Sequence, residues 1–180
     1  MSVATTAPVE ARRAPVMTVR ATTDRAFQAA RVLALLLPAA LLAGAWTSQL
    51  WGGMTPCEMC HWQRWPHYAA LPIAALAFVA PGKRNWVALA AVTIAVSGAI
   101  GVYHAGVEWH LWKGYTACAA EFGGGLSNHD MLQQIMAAPI HRCDQAQWRL
   151  FGVSLAGWNA LVSLGGAALI GLLLRRSARA

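Results

Sequence analysis

Two pairs of cysteines are the residues of this chain best suited to chemistry: Cys57 with Cys60, and Cys118 with Cys143. Two thiols that close to a disulfide and reopen move two electrons per cycle. The bland use of such pairs is structural, since disulfides staple proteins wherever the environment is oxidising. A loop closed by only two intervening residues restrains little chain entropy, which makes Cys57–Cys60 a weak staple. Cys118 and Cys143 are flanked by Gly123-Gly124-Gly125 on one side and Pro139 on the other. A disulfide in such soft sequence is open to attack by a partner's thiolate, and a static staple fits there equally well.

The residues around the close pair admit other chemistry. Cys57-Glu58-Met59-Cys60-His61 has the form of the c-type haem attachment motif, with His61 as the proximal ligand. Cys57, Cys60, His61 and His67 are also near enough in sequence for a zinc site. Thr55-Pro56-Cys57-Glu58 reads as a helix start, with Thr55 as cap, Pro56 in the first position and Glu58 completing a capping box. Both thiols then sit in the first turn, where unpaired N–H groups favour a thiolate. Arg64 follows one turn after Cys60, in a segment that is otherwise apolar from Trp65 onward. A cation at that depth reads as functional, and a quinone carbonyl is a head group that a guanidinium can hold. Gln63 and His67 are weaker candidates. Further on, His104 and Glu108 stand four apart at the end of another apolar run and can meet if the helix continues.

The elements that position these residues are membrane helices. The chain is 57% hydrophobic and 12% charged, against about 25% charge in soluble domains. Spans of about 31–51, 56–80, 86–104 and 148–174 are expected, since about 20 apolar residues cross a bilayer. The N-terminal run resembles a signal peptide, but its apolar stretch continues past Ala43-Gly44-Ala45, so an uncleaved first helix is expected. Residues 1–28 read as a disordered tail and 176–180 as a short one, with an outer loop over 105–147. Within that loop, 127–136 has the pattern of a short surface helix. In the fourth span, Gly152, Ala156 and Ala160 repeat small residues for close helix packing, and no chemistry is assigned to it. The fold class is thus all-α, an integral membrane four-helix bundle with a long outer loop carrying a short surface helix.

Charge orients the bundle. Arg12, Arg13, Arg20, Arg25, Arg31, Lys83, Arg84, Arg175, Arg176 and Arg179 fall on one side, accompanied only by Glu10 and Asp24. The positive-inside rule places that side, with both termini, in the cytoplasm and all four cysteines outside. The net charge of +7 follows from this topology, and no nucleic-acid partner is needed to explain it.

Taken together, the pattern resembles the disulfide bond formation protein B (DsbB) family, over roughly residues 30–175. Four spans, an outer C-x-x-C heading the second helix, an arginine four residues later and two cysteines in the second outer loop all match. The run from Cys57 to Tyr68 and Tyr103-His104-Ala105-Gly106-Val107-Glu108 look like family segments. The resemblance implies a quinone-dependent oxidase of the bacterial inner membrane, using ubiquinone or menaquinone and no metal. Its partner would be a DsbA-like thioredoxin-fold oxidant of the periplasm. It also implies roles: Cys118 takes the partner's thiolate, Cys143 is its pair, and Cys57–Cys60 receives the electrons. Cys60 would adjoin the quinone, with Arg64 and His104 as its binding residues. A membrane c-type cytochrome and a non-catalytic, disulfide-stapled tetraspan protein are the rival readings.

Overall fold

The structure is a computed structural model that describes residues 14–114 and 143–178, with side chains from Asp24 onward. Four helices are described: α1 (Ala14–Leu50), α2 (Glu58–Val79), α3 (Lys83–Glu108) and α4 (Leu155–Ala178). They pack as a ring, α1 against α2, α2 against α3, α3 against α4 and α4 back against α1. The all-α bundle therefore holds. Cys118 and the expected surface helix over 127–136 lie outside the described residues.

Three of the helices are long and apolar enough to cross a membrane: Asp24–Leu50 within α1, then α3 and α4. α2 has 22 residues, about 33 Å at 1.5 Å per residue, which is long enough to cross a bilayer core. Its polar residues Gln63, Arg64 and His67 are buried inside the bundle. Leu36, Val79, Val92, Leu161 and Leu172 are each more than half exposed on the outside, the surface that lipid covers.

The bundle centre is built from small residues. Ala30, Ala34, Ala70, Ala74, Ala77, Val87, Ala90 and Ile94 form one buried cluster with Ile170 and Leu174. Small side chains let helix backbones approach, which is how membrane helices associate when lipid is as apolar as leucine. One close backbone approach joins α3 to α4. A Cβ on Gly101 would stand 3.0 Å from both the Ala156 carbonyl oxygen and the Ala160 nitrogen, so any larger residue would push these backbones apart.

Helix ends differ from expectation in three places. The tail expected to be disordered is helical from Ala14, because α1 supplies the nucleus and Ala and Arg propagate a helix well. α4 starts at Leu155, several residues after the expected start at 148. Arg149–Leu150 and Val153–Ser154 instead pair as a short antiparallel ladder, β1 and β2. Its two turn residues, Phe151 and Gly152, have φ of 52° and 79°, the left-handed pair that a tight hairpin needs. Gly152 therefore belongs to the turn and not to the small-residue seam, whereas Ala156 and Ala160 do line it. Ser154 then caps α4, its Oγ accepting the Gly157 N–H at 3.1 Å. The third change is at α2, where the N-cap is Cys57 and not Thr55.

α3 runs on to Glu108 and stops in a Schellman motif. His110 takes a left-handed φ of 58°, Leu111 N–H bonds the Gly106 carbonyl at 2.9 Å and His110 N–H bonds that of Val107 at 3.0 Å. Trp112 folds back, stacks on Tyr103 at 5.9 Å and donates to the Tyr103 carbonyl at 2.9 Å. At the opposite end of the bundle, Arg84 donates to the Leu174 carbonyl at 2.7 Å and to Ser177 Oγ at 3.1 Å. The up-and-down order thus gathers the basic helix ends at one pole and the described cysteines at the other.

Candidate functional site

The site sits where the start of α2, the end of α3 and the start of α4 converge, beneath the segment 143–148. Cys57 precedes α2 in extended backbone and Cys60 falls in the first turn. Their sulfurs are 3.2 Å apart, with the Cys57 thiol donating to Cys60. The Cys57 backbone N–H also reaches the Cys60 sulfur, and the Arg64 charge acts on it from one turn below. Cys57 is buried together with Met59, Val107 and Cys143, with Cys60 and Tyr103 packed alongside. One member of the wide pair is therefore brought directly against the close pair. Gln147 holds that arrangement: its side chain accepts the Thr55 N–H at 3.1 Å and donates to the Thr55 carbonyl at 2.5 Å. Thr55 thus anchors the incoming loop, and does not cap α2.

His104, on α3, faces the same sulfurs. Its Nε2 is 3.6 Å from Cys57 Sγ and 3.8 Å from Glu108 Oε1, the i, i+4 meeting that the sequence suggested. Glu108 is 7% exposed, and its Oε2 has no hydrogen-bond partner among the described residues. Cys57, Cys60 and His104 offer three ligand atoms within 4.8 Å of one another. The zinc set read from sequence is different and does not assemble. His61 is exposed, and His67 is engaged by Ser97 Oγ at 2.9 Å and Asn159 Oδ1 at 3.1 Å. In the haem-like motif, His61 is exposed while Cys57 is buried, and the His61 N–H bonds the Cys57 carbonyl at 3.3 Å.

Arg64 is 8% exposed and does not snorkel. Its guanidinium donates to Gln49 Oε1 at 2.9 Å and to the Ala45 carbonyl at 3.3 Å, both on α1, and lies 5.6 Å from the Trp46 ring. Two cavities meet around it. One, of about 250 Å³, opens between α1, α2 and α4, with walls that are mostly apolar. The other, of about 60 Å³, lies on the loop side and is lined by Cys57, His104, Glu108 and Gln147. Cys60 and Arg64 line both. Cys60 is thus the sulfur at the partition between the loop face and the membrane-facing cavity.

The sequence model described as "Disulfide bond formation protein DsbB" matches residues 27–173. The chain belongs to the DsbB family. Two relatives named "Disulfide bond formation protein B" agree. That of Verminephrobacter eiseniae is 31% identical over 80% of this chain and 82% of its own length. That of an Acidovorax species is 31% identical over 83% and 89%. "Uncharacterized protein RP370" of Rickettsia prowazekii is 25% identical over 67% of this chain and 72% of its own. No solved structure is a significant match. As a DsbB-family member the chain is a membrane protein of disulfide bond formation.

Several residues at this DsbB-like site had little weight in the sequence. Asn159 and Ser163 come from α4, the span assigned no chemistry, yet Asn159 lines the larger cavity and donates to Gln63 Oε1 at 2.8 Å. Their signal was available: an amide and a hydroxyl four apart in an otherwise apolar span mark one polar face. Gln49 carried none, since it stands near a helix end where any polar residue emerges.

Proposed function

We propose that this protein reoxidises a thioredoxin-fold dithiol oxidant of the DsbA type and delivers the electrons to a membrane quinone. The observation that carries this reading is the position of Cys60, which lines the cavities on both sides of the partition. The partner's thiolate attacks Cys118, forming a mixed disulfide and releasing Cys143 as a thiolate. Cys143 shares a buried cluster with Cys57 and attacks it, so the Cys57–Cys60 bond breaks and Cys60 leaves as the thiolate beside Arg64. The partner's second thiol then resolves the mixed disulfide and departs oxidised. Cys118 recloses on Cys143 and frees Cys57, which rejoins Cys60 as the electron pair passes out of the protein.

The membrane-facing cavity fits a quinone ring: apolar walls, one buried guanidinium and the side-chain amides of Gln63 and Asn159. Arg64 would hold ubiquinone or menaquinone there, and the bound quinone would supply the acceptor for two electrons and two protons; His104 lines the loop-side cavity instead, beside Cys57. The energetic need is plain. A DsbA-type oxidant lies near about −120 mV, and about 30 mV corresponds to 1.4 kcal/mol for a two-electron couple. Only a stronger acceptor can recharge it repeatedly, and a quinone pool drained by respiration is one. The basic pole faces the cytoplasm of a bacterial inner membrane, by the positive-inside rule, and the cysteines face the periplasm.

Anaerobic mixing of the purified protein with reduced DsbA-type partner and a quinone tests this. One quinol per partner disulfide is expected. Partner oxidation without quinol, or quinol formation in the absence of any thiol donor, refutes it.

A further inference from the structure

Beneath the cysteines, a buried polar string runs from α4 through α2 to α3, and its hydrogen bonds have a fixed direction. Two main-chain carbonyls, which can only accept, set that direction. Ser97 Oγ donates to the Gln63 carbonyl at 2.7 Å. Its one proton is thereby used, so His67 Nε2 at 2.9 Å must carry a proton and donate to Ser97 Oγ. The other face of the string is fixed by Asn159 Nδ2, which donates to the Ser97 carbonyl at 3.3 Å. Asn159 Oδ1 accordingly accepts, from Ser163 Oγ at 3.2 Å and His67 Nε2 at 3.1 Å. Because Asn159 presents Nδ2 to Gln63, the Gln63 atom that meets it at 2.8 Å is Oε1. The remaining Gln63 atom is Nε2, which also has the Met59 carbonyl at 3.4 Å. That nitrogen lies 2.7 Å from His104 Nδ1.

An amide N–H aimed at Nδ1 requires a bare lone pair there. We infer that Asn159 and Gln63 are positioning residues that lock His104 as the neutral tautomer, with its single proton on Nε2 directed at Cys57 Sγ. In this state His104 is a hydrogen-bond donor to the sulfur and cannot serve as the base that deprotonates it. Protonating Nδ1 would require Gln63 to flip, which would set its Nε2 against Asn159 Nδ2 and its Oε1 toward the Met59 carbonyl. No bond or proton moves in this inference, because the tautomer is set before turnover. Its use follows from the reading above, on which it rests: when the Cys143–Cys57 bond breaks, Cys57 leaves as an anion that Nε2–H supports. Loss of a charge-assisted hydrogen bond of this kind slows that step roughly tenfold or more.

The test is nitrogen NMR of the full-length protein labelled with 15N-histidine, in detergent, without quinone or partner. The His104 signals are assigned by their spatial contact with the Gln63 side-chain amide. A pyridine-type Nδ1 and a protonated, pyrrole-type Nε2 are expected; a protonated Nδ1 overturns the inference. Two variants extend the test. Gln63→Glu replaces the donor by an acceptor, and Asn159→Asp makes Gln63 turn its nitrogen away from His104. Both should move the proton to Nδ1 and slow breakdown of the Cys143–Cys57 disulfide in a single turnover with reduced partner. A folded variant of either kind that keeps the wild-type tautomer also overturns it. Since the tautomer is read without turnover, the outcomes separate: failure to reduce quinone with the tautomer intact counts against the proposed function alone.

Discussion

Replacing Arg64 by Lys probes the cavity most sharply, because it preserves charge and removes only the planar fork. In the structure two guanidinium N–H groups are held by Gln49 Oε1 and the Ala45 carbonyl, and the others remain to face the cavity that Arg64 lines. An ammonium cannot span both α1 acceptors and still address a ligand carbonyl, since its donors radiate from one atom. The loss is one hydrogen bond to a charged donor, about 1.5–3 kcal/mol. At about 1.4 kcal/mol per factor of ten, the apparent KM for quinone should rise roughly ten- to a hundredfold. The rate at saturating quinone should change far less, because Cys60 and its neighbours are untouched. Steady-state reduction of a short-chain quinone, followed by its ultraviolet absorbance under anaerobic conditions, measures both parameters. An unchanged KM with a depressed kcat would refute the binding role, and unchanged values of both would remove Arg64 from the site altogether.

Other substitutions separate the parts of the account. Cys60→Ser should abolish quinol formation, while Cys118→Ser should block partner oxidation yet leave quinone binding intact, as read by equilibrium binding of a quinone analogue. Gln147→Ala removes both hydrogen bonds to Thr55 and should slow transfer from Cys143 to Cys57, seen as accumulation of the partner–Cys118 mixed disulfide in a quenched time course. Gly101→Val forces a side chain onto the Ala156 and Ala160 backbone. It should cost about 1–3 kcal/mol, measured as a lower midpoint of denaturant unfolding in micelles.

What could be read in the sequence follows from which signals are periodic. Four apolar runs with charged ends gave the bundle and its poles, because burial of backbone in lipid leaves helices as the solution for such runs. Cys57, Cys60 and Arg64 lie within one short segment, so their assembly needed only local helix geometry. Helix ends were less legible. Thr55 looked like a cap until Gln147, far away in sequence, was seen to bind it, and the start of α4 was hidden by a hairpin of apolar residues. The burial of Cys143 in one cluster with Cys57, and the string from Asn159 through Gln63 to His104, are tertiary facts. They join residues on different helices, and no spacing rule along the chain encodes them.

The central claim is that Cys60 passes the electron pair of its own disulfide-forming step to a carrier in the membrane-facing cavity. The most direct measurement is a single turnover without partner: fully reduced protein, oxygen excluded, one equivalent of quinone, and the disulfides then mapped by peptide mass spectrometry. The account predicts stoichiometric quinol together with a new bond between Cys57 and Cys60. Quinol formed while those two thiols stay reduced, or a new bond there with no quinol, would contradict it.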